Sequence, residues 1–533
     1  MIPFGSLALI SVATTFLSAV VLSCIVLIGL FIYKKFTSKS KLPEPPFSKG
    51  GLFENCAATQ VQKTLYQLDR DRVFFADIGP NDLGGSPWGG VFKAFLPTWN
   101  PIFFVSDYRL ARLILTGDVN ANIKECEKAR DVENMNFTGL EHNSILSDRT
   151  SSTDREDARR TAAGAFSTTN LGKSWGSMKG SIANLLDEMR HFSALGEPFE
   201  ASELFDMFIM RSVTRSIYGV EFTDDGTETA DTIDGRTVMK DVAACAQEAC
   251  RRIMFPPRPY MFWDKDVQND HACQQRLHKV AEKLERIQRE KEARMFANGI
   301  PHKPYTILDH LSMHNYKNPE TRYADIITFI LAATETTSSS LNYFLLEIAR
   351  HPTIRKKLQY ELSLFMPENR SNEGLIHSSS FNDRALLSSI AGCEYLNWCI
   401  KENMRLWPVA AGGPIRDVEE DVEYNGIRLP QGSKVICSFF SMFRERWIDR
   451  PEEYIPERWG ESNPQLPQLK EMLMPFSIGR RSCLGQNMAL FQLKIIIAHL
   501  LHHFDFELVG EPDMSFFVVI RLSNFMLRVK ERK

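Results

Sequence analysis

The stretch PFSIGRRSCLGQNMAL, residues 475–490, sets one cysteine, Cys483, in a glycine- and arginine-rich turn directly before an apolar segment. Gly479 and Gly485 flank this cysteine, and because glycine has no side chain, the backbone can turn tightly there and be approached closely. The residues that follow, QNMALFQLKIIIAHLLHHF, have the composition of a helix. The N-terminal end of such a helix would face the sulfur and favour its thiolate form.

A cysteine thiolate is a strong axial ligand to heme iron. We therefore predict Cys483 as the metal ligand, with nearby backbone N–H groups tuning the charge and reduction potential of its sulfur. Phe476 can pack beside the sulfur and keep water away. Arg481, two residues before the cysteine, can reach a carboxylate of the cofactor. The alternative interpretation is a buried structural cysteine in a glycine-rich turn.

The stretch contains the complete pattern F-x-x-G-x-R-x-C-x-G, at Phe476, Gly479, Arg481, Cys483 and Gly485. This pattern resembles the heme-binding signature of the cytochrome P450 family. The resemblance implies heme b with an axial thiolate, dioxygen as co-substrate, and the cytochrome P450 fold.

Two further motifs stand in the order found in that family. The stretch ENMR, residues 402–405, resembles its E-x-x-R motif, with Glu402 and Arg405 on one helix face. About fifty residues later, PERW places Arg458 where the family has a partner arginine for that pair. The resemblance implies that these three residues stabilise the fold below the heme and take no part in the chemistry.

The stretch AATETT, residues 332–337, resembles the family's oxygen-side motif. Thr336 is the candidate for hydrogen bonding to dioxygen or ordering a water, and Glu335 is the candidate for relaying protons. The alternative is that these hydroxyl groups bond only to carbonyl groups of their own helix. Ala333 stands where the family has glycine, which leaves the width of the oxygen groove open.

Three arginines are candidates for holding the heme propionates. In REDARRTAAGAFS, Arg159 occupies the family's arginine position, while Arg155 stands where the family often has tryptophan or histidine. Arg155 either substitutes for that aromatic residue or faces solvent. Arg416 aligns with a further propionate ligand of the family, and its alternative is a surface arginine at a strand edge. Each can form a charge-assisted hydrogen bond to a carboxylate.

The N-terminal segment predicts a membrane anchor at residues 1–33, because these residues carry no charge and the apolar run from residue 7 to residue 33 is long enough to cross a bilayer. Lysines follow at once in a basic, proline-rich hinge at residues 34–46, which places the remainder in the cytosol. The expected location is therefore the endoplasmic reticulum membrane, with a single pass. A cleaved signal peptide is the alternative, but it would have a basic start and a shorter apolar run.

Residues 47–533 predict one large heme domain that is mainly α with a small β component. Long helices are expected at residues 276–296 and 321–352, the second of them apolar on nearly every face and hence running through the core. Residues 422–440 favour short strands joined by an Asn425–Gly426 turn. With 63 basic and 66 acidic residues, the chain has no basic excess that would predict nucleic-acid binding.

The resemblance implies a monooxygenase that inserts one oxygen atom from O2 into a lipophilic small molecule by hydroxylation or epoxidation. Electrons would come from NADPH through a separate NADPH-cytochrome P450 reductase, with cytochrome b5 as an optional second donor. A terpenoid, polyketide, steroid or fatty-acid skeleton is expected, as in secondary metabolism. Two alternatives stay open: a heme-thiolate isomerase or dehydratase that works without O2, and a non-catalytic heme-binding membrane protein.

Overall fold

The fold was analysed in a computed structural model of the chain. The structure describes residues 91–95, 101–118, 124–128, 144–254, 260–301, 303–366, 380–516 and 518–532. The predicted anchor and hinge, residues 1–46, lie outside these ranges. Within them, we find no helix that combines the length and the apolar character needed to cross a membrane.

Helices make up most of the described chain, which confirms the predicted mainly α class. In chain order they are α1 Tyr108–Thr116, α2 Thr153–Ala163, α3 Thr168–Leu195, α4 Ala201–Tyr218, α5 Gly235–Met254, α6 Lys265–Ala297, α7 Ile307–Met313, α8 Pro319–Arg350, α9 Pro352–Ser363, α10 Ser380–Gly392, α11 Glu394–Leu406, α12 Phe439–Met442, α13 Leu466–Met472 and α14 Gln486–His503.

The strands are short. They are β1 Val91–Phe95, β2 Pro101–Val105, β3 Glu127–Lys128, β4 Phe199–Glu200, β5 Glu221–Thr223, β6 Thr232–Asp234, β7 Ile415–Asp417, β8 Val422–Tyr424, β9 Ile427–Leu429, β10 Lys434–Cys437, β11 Phe504–Leu508, β12 Asp513–Phe516, β13 Ile520–Ser523 and β14 Met526–Glu531.

The largest sheet of the described chain has the order β1-β2-β10-β7-β3, and a second has the order β11-β14-β4. In the first, β10 pairs in parallel with β2 and antiparallel with β7, and β7 also pairs with β3, so that β7 lies inside the sheet. The strands β8 and β9 form the predicted hairpin, in which both Asn425 and Gly426 adopt positive φ angles, of 45° and 77°. Such a turn matches the twist of the two strands that it joins.

Helix α8 runs through the core, as predicted. It begins where the Asn318 side chain accepts a hydrogen bond from the backbone N–H of Glu320 and Pro319 occupies the first turn. It ends before Pro352, which starts α9. Nearly all side chains from Ala324 to Ile348 are buried, so this helix is held by packing on every face.

A buried carboxylate ties α11 to the chain that leads to the cysteine turn. Glu402 accepts two hydrogen bonds from Arg405, at 3.0 and 2.8 Å, and one from Nε of Arg458 at 2.7 Å. It also accepts from the Trp459 indole and from the backbone N–H of Ile455. The side chains of Glu402 and Arg405 are fully buried, so the predicted trio is present and its charges are shielded from water.

Because removal of one partner from a buried ion pair leaves an uncompensated charge, Glu402→Gln should be strongly destabilising. We expect the free energy of unfolding to fall by about 3–5 kcal/mol. Denaturant unfolding followed by circular dichroism would measure it. The control is Asp187→Asn, which removes the exposed partner of Arg190 and should cost at most about 1 kcal/mol. Equal effects of the two changes would contradict a special role for the buried trio.

Candidate functional site

The cysteine turn is closed by a backbone hydrogen bond. The N–H of Cys483 donates to the carbonyl of Phe476 at 2.8 Å, around a single 3-10 turn at Gly479–Arg481. Helix α14 begins three residues after the cysteine. This arrangement presents the side chain of Cys483 at the N-terminal end of a long buried helix, as the sequence predicts.

Gly479 is required by the backbone at its position. Its φ is +74°, which residues with a side chain rarely adopt, and a Cβ there would lie 2.6 Å from the carbonyl oxygen of Leu115. The residue therefore lets the turn press directly against the end of α1. The contact fixes the position of the cysteine turn relative to α1 and to the sheet whose strand β2 precedes α1.

Cys483 differs from the other cysteines of the described chain. Of the seven free cysteines whose side chains the structure describes, only Cys483 is exposed. Burial nonetheless raises the pKa of its thiol, while hydrogen bonds from the backbone N–H groups of Gly485 and Gln486 and the charge of Arg159 act to lower that pKa. The side chain of Cys483 is thus accessible and yet largely desolvated, a combination that suits a position inside a cleft.

Arg159 lies beside the cysteine. Its guanidinium, carried by α2, donates to the carbonyl of Ser482 at 2.5 Å and to the hydroxyl of the same residue at 3.2 Å. Burial lowers the pKa of Arg159, and the adjacent charge of Arg155 lowers it further. The structure thus brings Arg159 to the turn that holds Cys483, from a point more than three hundred residues earlier in the chain.

Three more arginines gather next to the turn. Burial lowers the pKa of Arg481 to about 9, and the charges of Arg155 and Arg416 add to this effect. Two nitrogens of Arg481 donate to the carbonyls of Ile145, at 2.9 Å, and Asp148. The guanidinium groups therefore lie close enough to repel one another, which is unfavourable unless an anion is bound near them.

The solvent-facing alternatives for two of these arginines are wrong. Arg155 is 3% exposed and donates to the carbonyls of Arg149 and Thr150, and Arg416 is 2% exposed. Arg416 is buried because β7 lies between β10 and β3 and does not form a sheet edge. The sequence pattern did not reveal this, since strand order depends on residues distant in the chain.

The residues present fit a heme. Each of the three arginines next to the turn has a buried guanidinium nitrogen that lacks a hydrogen-bond partner within the described part of the chain: Nη1 of Arg155, Nε of Arg416 and Nε of Arg481. Buried donors without partners are costly, and carboxylates are the acceptors that guanidinium groups prefer. A cationic cluster with free donors beside an accessible thiol therefore suits an iron porphyrin with two carboxylates.

Between Ala324 and Ile348, helix α8 is accessible at one turn only. Ala332 is exposed and Thr336 half-buried, although nearly all of the surrounding helix is buried. The hydroxyl of Thr336 donates to the carbonyl of Ala332 at 2.7 Å. The back-bonding that the sequence left as an alternative is thus present. It uses the proton of the hydroxyl group, and the oxygen keeps lone pairs with which to accept a bond.

Phe166 connects the two sides. A Cβ on Gly485 would lie 3.9 Å both from the ring of Phe166 and from the sulfur of Cys483. The same ring packs against Phe329 of α8, with 6.0 Å between the ring centroids. The ring of Phe166 therefore lies close to the backbone of the cysteine turn and also packs against the oxygen-side helix, at Phe329, three residues before Ala332.

Glu335 is paired with a cation from the C-terminal part of the chain. It is 4% exposed, burial raises the pKa of its carboxyl group, and its nearest cation is Arg521 at 3.4 Å. Arg521 also binds Asp206 at 2.7 Å. Sequence reasoning missed both of these partners, since neither stands in a motif and each is more than a hundred residues from Glu335.

Comparison with known proteins identifies a family for the chain. The family model described as Cytochrome P450 matches residues 89–527. The chain is 30% identical to mouse (Mus musculus) cytochrome P450 3A13 over 234 residues, 42% of this chain and 44% of that protein. It is 31% identical to human cytochrome P450 3A5 over 192 residues, 36% of this chain and 35% of that protein. With Drosophila melanogaster cytochrome P450 4d2 the identity is 31% over 203 residues, 38% of each chain.

Since the family model covers most of the sequence, the chain belongs to the cytochrome P450 family. Membership implies a heme held by a cysteine thiolate. The matched regions span less than half of the length of these curated relatives.

Proposed function

We propose that this protein is a heme-thiolate monooxygenase, which inserts one oxygen atom from O2 into a lipophilic small molecule by hydroxylation or epoxidation. The observation that carries the proposal is the presence of two accessible features that Phe166 connects. One is the accessible thiol of Cys483 among backbone N–H donors, and the other is the single open turn of α8 at Thr336. Family membership supports the same activity.

A heme held here would supply the redox chemistry that uses dioxygen, with the second oxygen atom released as water. Cys483 is the proposed iron ligand, and the N–H groups at the start of α14 stabilise its thiolate. Phe476 and Gly479 shape the turn that holds it. Arg159, Arg416 and Arg481 are the proposed partners of the propionates, with Arg155 as a fourth cation beside them.

Thr336 and Glu335 have different proposed roles in proton delivery. Thr336 accepts or passes a hydrogen bond at its hydroxyl oxygen, at the open turn of the helix. Glu335 is the proposed acid, and burial raises the pKa of its carboxyl group, which favours the protonated form that an acid needs. An isomerase or dehydratase that works without O2 has no use for this pair.

The substrate pocket is formed in part by the segment after Pro408. A Cβ on Gly412 would lie 3.4 Å from the ring of Phe516, and the N–H of Ile520 donates to the carbonyl of Val409 at 2.9 Å. Small residues there leave room for a bulky apolar skeleton. Terpenoid, polyketide, steroid and fatty-acid substrates, typical of secondary metabolism, all fit this description.

We also propose a membrane setting, the endoplasmic reticulum, with one pass through residues 1–33 and the catalytic domain in the cytosol. The segment between α5 and α6 supports it, because three large aromatic side chains there are strongly exposed: Tyr260 80%, Phe262 75% and Trp263 63%. Aromatic rings are favoured at membrane interfaces. The proposed electron donors are NADPH-cytochrome P450 reductase and, as an optional second partner, cytochrome b5.

The first test is the absorption spectrum of the reduced, carbon-monoxide-bound protein. A thiolate opposite carbon monoxide should give a strongly red-shifted Soret band, and Cys483→Ser should abolish that band because a hydroxyl group is not ionised at neutral pH. Cys393→Ser is the matched control, since Cys393 is buried, donates to a helix carbonyl, and should leave the spectrum unchanged. An ordinary heme spectrum in the unsubstituted protein would contradict the proposed ligand.

The oxygen chemistry is tested at Thr336. Thr336→Ala should retain heme but divert electrons to peroxide, lowering the product formed per NADPH by about tenfold or more, within the range of general acid–base contributions. Thr336→Ser keeps the hydroxyl group and should retain most of the coupling. Unchanged coupling in the alanine variant, or product formation without O2 and reductase, would count against the monooxygenase.

The membrane setting is tested through Trp263. With vesicles of brominated phosphatidylcholine, tryptophan emission of the full-length protein should be quenched, and Trp263→Phe should remove most of that quenching. Trp447→Phe is the control, because Trp447 is half-buried and donates to Glu445. Equal loss of quenching in both variants would show that the segment between α5 and α6 does not contact lipid.

A further inference from the structure

One arginine that contacts the oxygen-side helix α8 forms ion pairs with two carboxylates. Arg521, on β13, donates through Nη2 to Asp206 of α4 at 2.7 Å and lies 3.4 Å through Nη1 from Glu335 of α8. The Glu335 side chain is 6% exposed and that of Asp206 is 16% exposed, so both charges are largely withdrawn from water. A single guanidinium group can neutralise only one of them.

Among the residues that the structure describes, Arg521 is the cation that forms an ion pair with either carboxylate, and we find no second one. Asp206 also accepts a hydrogen bond from the side-chain amide of Asn342 at 3.4 Å, and the nearby carboxylate of Glu200 acts to raise the pKa of Asp206. Burial raises the pKa of both Asp206 and Glu335. Two close carboxylates with one counter-charge favour retention of one proton between them.

The trio is also connected to the substrate side of the cleft. Arg521 follows Ile520, whose N–H donates to Val409 at 2.9 Å, and β13 pairs with β12, whose last residue is Phe516 beside Gly412. The same short hairpin therefore contacts the segment proposed to line the pocket and carries the cation that holds the acid.

We propose that Asp206, Arg521 and Glu335 form a carboxylate pair that stores one proton, in which Arg521 is the positioning residue for Glu335 and Asp206 shares the proton. This rests on the proposed monooxygenase function and deepens it. The proton leaves the Glu335 carboxyl group for the acceptor held at Thr336, and Arg521 neutralises the carboxylate that is left. The pair then regains a proton from solvent past Arg521, whose side chain is 31% exposed. Only O–H bonds are broken and formed.

Infrared difference spectroscopy on the full-length, heme-loaded protein tests the stored proton without turnover. At neutral pH the unsubstituted protein should show the C=O stretch of one protonated carboxyl group that disappears in both Glu335→Gln and Asp206→Asn. Arg521→Met should add a second such group, because the pair then lacks its cation. Asp325 and Glu445 have pKa values raised by burial to about 7 and provide a background that all variants share.

Turnover provides the second readout. Arg521→Met should lower product per NADPH by about tenfold and enlarge the solvent deuterium isotope effect, since proton delivery becomes slower. Arg521→Lys keeps a cation and should restore most of the coupling. Arg528→Met, which removes a more exposed arginine of the neighbouring strand β14, should change neither the infrared spectrum nor the coupling.

The two proposals fail in different ways. If the infrared band is absent, or persists in both Glu335→Gln and Asp206→Asn, the shared proton is wrong even in an active enzyme. If the band behaves as expected but no variant oxidises any substrate, the carboxylate pair stands and the monooxygenase function is wrong. Normal coupling in Arg521→Met would overturn the positioning role of Arg521.

Discussion

The buried carboxylate of Glu402 is the contact on which the arrangement of the site depends. It accepts hydrogen bonds from Arg405 and Arg458, and these arginines in turn donate to backbone carbonyls between Phe443 and Glu453. An irregular stretch has few backbone bonds of its own, so it needs such donors to satisfy its carbonyl groups. The chain that leads from α12 to the cysteine turn is thereby held against α11, and the position of Cys483 follows from it.

The arginines of the site lie close together although their positive charges repel one another. Arg155, Arg416 and Arg481 are buried near one another. Backbone carbonyls accept hydrogen bonds from some of their nitrogens, and other nitrogens have no partner in the described chain. Buried donors without partners destabilise the folded chain. Such a local loss of stability is typical of a binding site, where the ligand supplies the missing acceptors. The same reasoning applies to the paired carboxylates at Arg521, which keep an acidic proton close to the helix that needs it.

Much of the fold was predictable from local pattern. The apolar run at residues 321–352 gave a core helix with bounds close to Pro319–Arg350, and the charged run at 276–296 lies within the longer α6. The Asn425–Gly426 hairpin was predictable because positive φ at both residues is a local requirement. The thiolate turn was predictable for the same reason, since its glycines, its arginine and its cysteine stand within ten residues.

Tertiary structure alone decided which distant side chains meet. The partners of Glu335 come from α4 and from the C-terminal hairpin. The burial of Arg416 depends on strand order, and Arg155 is held by the carbonyls of Arg149 and Thr150. Spacing in a sequence encodes helix faces and turns, because these are set by neighbouring residues. Burial, ion pairing and the direction of a pKa shift are set by atoms that only the folded chain brings together.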